Sequence, residues 1–392
     1  MADMHVVGKE RAVTLASQGK LEEALAEYQG LSKSTPDDAD VHQRVAELLE
    51  WLGRKADAAA AHETAALAWA KVDEPLRAVA ACVALARLGA TDAMRLRCAR
   101  ALAERFALCP GVVAERPVPL FSRLSREDFV ALVGVLEVRA FFPGQAVVEE
   151  GAAGASMFAL VEGRAEVVRA LEDGERGVVG SVVPGDFFGE LALVSEGPRL
   201  ASVVATERAV LLELTRASLT AVAVRHPGVG EVLEDFYRRR LVDNLLRSNP
   251  LLSRLTAEQK AALSLDFRLR AVVPDEVLMA QGQPGDAFYV LLRGKCTPWL
   301  EQPGGRRMPL AELREGDVFG EISLLLDKPV SATVRADVKG VVLQLPRAAF
   351  EKHLLSQPGT KGLLMRMGTE RLQNSARVLA SGRVLHDGDL RV

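Results

Sequence analysis

Between residues 6 and 107, apolar side chains return at every third or fourth position in segments rich in Ala, Leu, Glu and Arg, and that period predicts amphipathic helices. From Pro119 onward the texture changes to short Val, Phe and Leu runs cut by Gly and Pro, which predicts antiparallel strands joined by tight turns. The intervening segment 109–118, opened by Cys109-Pro110-Gly111, reads as a linker that ends the helical zone. Two charged, leucine-bearing stretches, 216–247 and 347–380, follow the β-rich blocks and read as helices.

The β-rich part is duplicated. At one constant offset, Pro119-Leu120 falls on Pro250-Leu251, Pro143 on Pro274, Gly151 on Gly282, Gly154 on Gly285, Gly163 on Gly294, and Phe188-Gly189-Glu190 on Phe319-Gly320-Glu321. No gap is needed from Pro119 to Ala205. Matched glycines mark matched turns, because glycine takes positive φ without steric cost. The expected fold is multidomain α+β: all-α helical repeats at 1–108, the linker at 109–118, two β-barrel, jelly-roll-like domains with flanking helices at 119–248 and 249–380, and a tail at 381–392.

The helical zone carries its own repeat. Gly19-Lys20-Leu21-Glu22-Glu23-Ala24 recurs as Gly53-Arg54-Lys55-Ala56-Asp57-Ala58, and Ala12 matches Ala46 at the same spacing. With Pro36 closing the first unit and Tyr28 four residues after Ala24, the stretch resembles tetratricopeptide repeats, which implies paired helices that engage a protein partner. His62 stands where Tyr28 does, and a third unit, from about Val72, breaks the period. A solenoid normally needs about three repeats, so this one is expected to lean on the rest of the chain.

Composition narrows the function. Lys and Arg total 49 against 52 Asp and Glu, a net charge of -3, and 49% of the 392 residues are apolar. That is a folded chain, neither disordered nor built to coat nucleic acid by bulk charge. No charge-free run of about 18 apolar residues occurs, and Met1-Ala2-Asp3-Met4-His5 lacks the layout of an export signal, so no membrane span and a cytoplasmic location are expected. Cys82, Cys98, Cys109 and Cys296 show no CxxC spacing, and the six histidines show no HxxxH or HExxH, so neither a disulfide framework nor a metal site is expected. With no nucleophile elbow, Walker A or kinase signature, no catalytic residue and no cofactor is expected.

The most specific segment is Phe188-Gly189-Glu190-Leu191-Ala192-Leu193, a short spacer, then Pro198-Arg199-Leu200-Ala201-Ser202-Val203. It resembles the phosphate-binding cassette of the cyclic nucleotide-binding domain family, found in regulatory subunits of cAMP-dependent protein kinase and in bacterial catabolite activator proteins. That pattern reads F-G-E-[LI]-[AS]-L, then P-R-x-A-[ST]-V, with nine residues from Glu to Arg, as from Glu190 to Arg199. The resemblance extends over about 118–245 and again 249–378. It implies ligand contacts from Gly189, Glu190, Leu191, Ala192, Arg199, Leu200 and Ser202. Physically, backbone N–H groups where Gly189 allows close approach attract a phosphate, and the planar fork of Arg199 holds two of its oxygens at once. Carried over from the family pattern, Glu190 accepts a hydrogen bond from a ribose 2′-hydroxyl. Leu200 offers no partner to the guanine amino group, which favours cAMP over cGMP. The turn Gly151 to Ser156 lacks the acidic residue that the second copy has in Asp286. Phe236 and Tyr237 are candidates to stack on the base, or equally to pack in a core.

In the second copy the equivalents are Gly320, Glu321, Ile322, Ser323, Val330 and Ser331. Val330 replaces the arginine, and removing the charged partner of a desolvated phosphate costs about 2 to 5 kcal/mol. Lys328, two residues away, compensates only in part. This copy is therefore expected to keep the fold without the site and to serve interaction or dimerisation, which leaves a homodimer open. The function expected is a non-enzymatic cyclic nucleotide sensor and adaptor, with a ligand-free structural scaffold as the alternative. A DNA-binding regulator would need a helix-turn-helix after the second barrel, where only the tail to Val392 remains. A kinase-inhibiting segment would need basic residues where Ala114-Glu115-Arg116-Pro117 has one arginine.

Overall fold

The structure, a computed structural model, describes residues 2–107, 120–170, 175–194, 197–248, 252, 255–302 and 304–356, with isolated positions beyond. The expected linker 109–118 with Cys109, the tail 381–392 and most of 357–380 lie outside the described residues. Two compact units form, Met1–Glu234 and Asp235–Val392.

The first unit opens with six helices: α1 (Ala2–Ser17), α2 (Leu21–Ser34), α3 (Ala39–Trp51), α4 (Lys55–Lys71), α5 (Pro75–Arg87) and α6 (Asp92–Phe106). They form three pairs, and the turn within each pair passes through a left-handed glycine: Gly19 at φ 76°, Gly53 at φ 73° and Gly89 at φ 73°. The third pair is thus present. Gly89 falls two positions later than the spacing from Gly19 to Gly53 would place it, and that slip hides the pair from a fixed-period comparison. Asp38 caps α3 and Thr91 caps α6, each accepting from a backbone N–H of the first turn. Ala24, Ala46, Ala58, Ala65 and Ala78 are fully buried, as close helix packing requires.

After a short turn at Phe121–Arg123 come α7 (Arg126–Val133), β1 (Glu137–Phe141), β2 (Ala146–Val148), β3 (Ser156–Glu162), β4 (Ala165–Ala170), β5 (Arg176–Val182), β6 (Phe187–Phe188), α8 (Leu191–Val194), β7 (Ser202–Ala205), β8 (Ala209–Thr215) and α9 (Arg216–Arg225). Two four-stranded antiparallel sheets result, ordered β1-β8-β3-β6 and β2-β7-β4-β5. They face each other as a jelly-roll-like sandwich rather than a closed barrel, because each sheet keeps its own edge strands.

β3 is apolar on both faces, and each face has a different neighbour. Phe158 and Leu160 join Ala165, Val203, Ala205 and Leu211 in the core between the sheets. Met157 and Ala159, with Phe187, Leu212 and Leu214, instead meet Leu76 of α5, Phe121 and Leu132 across a narrow apolar cleft. Polar ties reinforce this packing. Arg44 of α3 pairs with Glu162 at 2.8 Å and Glu47 at 2.7 Å, and Arg208 reaches Glu47 at 3.5 Å. The helical region therefore leans on the first sandwich.

The helix α10 (Pro227–Ser248) runs into the second unit, which continues with α11 (Ala257–Asp266), β9 (Arg268–Val272), β10 (Val277–Met279), β11 (Ala287–Arg293), β12 (Cys296–Glu301), β13 (Arg307–Pro309), β14 (Val318–Phe319), α12 (Glu321–Leu326), β15 (Thr333–Ala336), β16 (Gly340–Pro346) and α13 (Arg347–Phe350). Every strand of this sandwich starts at the duplication offset from its counterpart, from Glu137 and Arg268 to Ala209 and Gly340. Tyr289, Leu291, Cys296, Phe319 and Val334 fill the space between its sheets. Phe288, Val290, Leu343 and Leu345 face outward onto Val242, Leu245, Leu263 and Phe350 from the flanking helices. Among the described residues no helix is long and apolar enough to cross a membrane.

Candidate ligand-binding site

Two turns and one strand of the first sandwich build the site. The glycine turn after β2 is strapped to the segment that carries Arg199: Gly151 N–H donates to Arg199 O at 2.9 Å, Arg199 N–H to Ala152 O at 2.8 Å, and Gly154 N–H to Gly197 O at 3.4 Å. The second turn follows β6. Gly189, at φ 79°, lets the chain reverse into α8, where Ala192 N–H donates to Gly189 O at 3.0 Å.

The Arg199 side chain lies between the two turns. Its Nη1 donates to Gly189 O at 3.3 Å, and its guanidinium sits 5.9 Å from the centroid of the Phe158 ring in the sandwich interior. A Cβ on Gly154 would lie 2.5 Å from its Nε, and a Cβ on Gly189 2.6 Å from its Nη1. Gly154 is therefore needed for this arginine pose, and Gly189 for both the arginine and its own left-handed backbone. Glu190, the first residue beyond Gly189, is buried, as is Ala192. Leu191 and Leu200 are half-buried. Ser202 is buried, and its Oγ accepts from Glu150 N–H at 2.9 Å. The counterpart Thr333 does the same for Gln281 at 3.0 Å, so this hydroxyl serves the turn in both domains.

Sequence reasoning missed two groups. Glu213 of β8 accepts from Ser156 Oγ at 2.6 Å and from Arg139 Nε at 2.8 Å, which raises the Arg139 pKa. Arg216, the first residue of α9, donates through Nε to Ala192 O at 2.9 Å and through Nη2 to Gly154 O at 3.5 Å. Neither carries a local signal, since the partners are far away along the chain. Phe236 and Tyr237 belong to the second unit, where Phe236 is buried beside the Arg240 guanidinium.

The second domain repeats the backbone and replaces the contents. Gly282 N–H donates to Val330 O at 2.9 Å and Val330 N–H to Gln283 O at 2.8 Å, matching the strap around Arg199. Val330 itself is buried and apolar. Ser323 Oγ donates to Gly320 O at 3.0 Å, taking the acceptor equivalent to the one Arg199 uses, and it also occupies the space beside Gly285. Tyr289 stands in place of Phe158, stacked on Phe319 with centroids 5.0 Å apart, its hydroxyl accepting from Gln344 at 3.2 Å. Burial pushes that phenol up to about 12. Glu321 is buried and Lys328 exposed. Among the described residues, no cluster of His, Cys, Asp and Glu could hold a metal ion.

The family described as cyclic nucleotide-binding domain matches residues 138–226 and 269–357. The chain is 32% identical over 245 residues to the cAMP-dependent protein kinase regulatory subunit of Emericella nidulans, covering 60% of this chain and 57% of that one. To the protein of the same name from Yarrowia lipolytica it is 31% identical over 236 residues, covering 60% and 58%. The chain thus covers less than three fifths of the length of these relatives. The regulatory domain of Toxoplasma gondii PKA, solved with cAMP, aligns at 26% identity over 64% of this chain and 92% of its own, with a TM-score of 0.33. The two matched segments coincide with the two sandwiches, so the chain carries two cyclic nucleotide-binding domains in tandem.

Proposed function

We propose that the first domain binds a cyclic nucleotide, cAMP in preference to cGMP, and that the protein is a non-enzymatic cytoplasmic sensor whose occupancy alters contacts with a protein partner made through the helical region. The observation that carries this reading is the Arg199 guanidinium cradled by Gly154 and Gly189 inside the sandwich, next to the buried Glu190. A guanidinium there offers parallel donors to a cyclic phosphodiester, and Glu190 is the acceptor suited to a ribose hydroxyl. Leu200 brings no hydrogen-bonding group to a guanine. The names of the curated relatives, regulatory subunits of a cAMP-dependent kinase, point the same way. The second domain, with Val330, Ser323 and Tyr289 where the first has Arg199, Ala192 and Phe158, keeps the fold without the phosphate site and is free to serve interaction or dimerisation.

Thermal-shift and calorimetric titrations with cAMP, cGMP and a cyclic dinucleotide test this. At a ligand concentration one hundred times its Kd, mass action stabilises the wild type by about 2.7 kcal/mol. The Arg199→Ala protein should hardly respond. A wild type indifferent to every cyclic nucleotide would leave the scaffold reading in its place.

A further inference from the structure

Arg216 is the group that ties together the two turns flanking Arg199. Its Nε and Nη2 both donate to Ala192 O, and Nη2 also approaches Gly154 O at 3.5 Å. Its own backbone N–H donates to Ala155 O at 2.7 Å. Two of these partners, Ala192 and Gly154, are one step from Arg199. Ala192 N–H donates to Gly189 O, the same oxygen that accepts from Arg199 Nη1. Gly154 presents its Cα to the Arg199 guanidinium and its carbonyl to Arg216. Besides Arg199 itself, the two walls of the arginine cradle are thus bridged by one further side chain, rooted at the start of α9.

The second domain provides an internal control. Arg347, the counterpart of Arg216 in the duplication, keeps the bond to the glycine turn, with Nε to Gly285 O at 2.9 Å and backbone N–H to Asp286 O at 2.8 Å. Its Nη1 pairs with Asp327 at 3.1 Å and Glu351 at 3.3 Å. Tethering the glycine turn is therefore common to both copies, whereas a pair of hydrogen bonds to the cassette carbonyl accompanies the copy that carries Arg199.

We propose that Arg216 is a positioning residue for phosphodiester recognition in the first domain, clamping the 151–154 turn to the 189–192 turn so that the Arg199 guanidinium is held where a cyclic phosphate is received. This rests on the reading that the first domain binds a cyclic nucleotide.

The test is calorimetry of full-length Arg216→Lys and Arg216→Ala with cAMP and with its two phosphorothioate diastereomers, which differ only in which exocyclic oxygen is sulfur. Ligand-free thermal midpoints are recorded alongside. The clamp predicts that Arg216→Ala weakens cAMP at least fivefold, that Arg216→Lys, with one donor nitrogen in place of the fork, falls between it and the wild type, and that the affinity ratio between the diastereomers moves toward unity. A purely structural role would lower the ligand-free midpoint and leave affinities and ratio unchanged. Affinities of both variants within twofold of the wild type overturn the proposal, and Arg216→Lys alone decides it should the alanine variant not fold. A wild type that binds none of the three ligands would instead overturn the reading on which it rests.

Discussion

Gly154 has no left-handed backbone angle to account for it, and the space it leaves is filled by the Arg199 head group. A Cβ there would press on Nε at 2.5 Å, the far end of a flexible side chain, which can swing away at little cost to the fold. Gly154→Ala should therefore leave the ligand-free thermal midpoint within about 2 °C of the wild type, the shift expected from no more than about 1 kcal/mol in a protein of this size. It should nonetheless weaken cyclic nucleotide binding at least tenfold, as read by calorimetry. Gly163 is a different case, since its φ of 92° is itself a position that an L side chain rarely takes. From the sequence the two glycines look alike, as matched positions in a duplication. Val330 is similar: in the sequence it is one lost arginine, whereas the folded domain has refilled the vacated volume with Ser323 and Tyr289.

The strands β11 and β12 carry the titratable groups that burial perturbs most clearly in the second domain. Burial raises Tyr289 from its ordinary 10 to about 12, and Cys296 from 9 to about 12. A folded-state pKa above the unfolded one means that the stabilisation is complete below the unfolded value and is lost as the pH rises through the folded one. Urea midpoints should thus decline between about pH 9 and 12, and Tyr289→Phe should flatten the part of that decline above pH 10. An unchanged profile in Tyr289→Phe would mean that the phenol is not shielded. The first sandwich carries Phe158 and Ala165 at these positions and has no such dependence from them. At this scale the β-rich blocks and their duplication were legible, from short apolar runs, punctuating glycines and one constant offset, although the individual strand limits were not. The third helix pair was not, because helix packing tolerates a small change in the length of a connecting turn that a strict period does not.

Within the first unit, the helical region and the sandwich share one apolar surface. Removing residues 1–107 would take the α5 wall, with Leu76, away from the cleft lined by Met157, Phe187, Leu212 and Leu214, which the intact unit keeps buried. An exposed cluster of that kind favours self-association. A chain starting at residue 120 should accordingly elute as aggregate or oligomer in size-exclusion chromatography at concentrations where the full chain shows none of that material. Elution unchanged apart from the lost mass would show the helices to be an independent appendage. The pairing of Arg44 with Glu162 adds to this packing, modestly, because both side chains remain about 30% exposed.

The sequence by itself determined the duplicated β domains, the helical zone before them and the spacing of Glu190 and Arg199, the two residues on which the proposed phosphate and ribose site rests. These are local matters, written in period, turn residues and fixed spacing. Only the tertiary structure decided that the outer face of β3 rests on α5, that Arg216 clamps the turns around Arg199, and that the second site is filled rather than merely missing a charge. Those outcomes depend on atoms brought together from distant parts of the chain, where side-chain volume and hydrogen-bond geometry choose the neighbour and no sequence pattern records the choice.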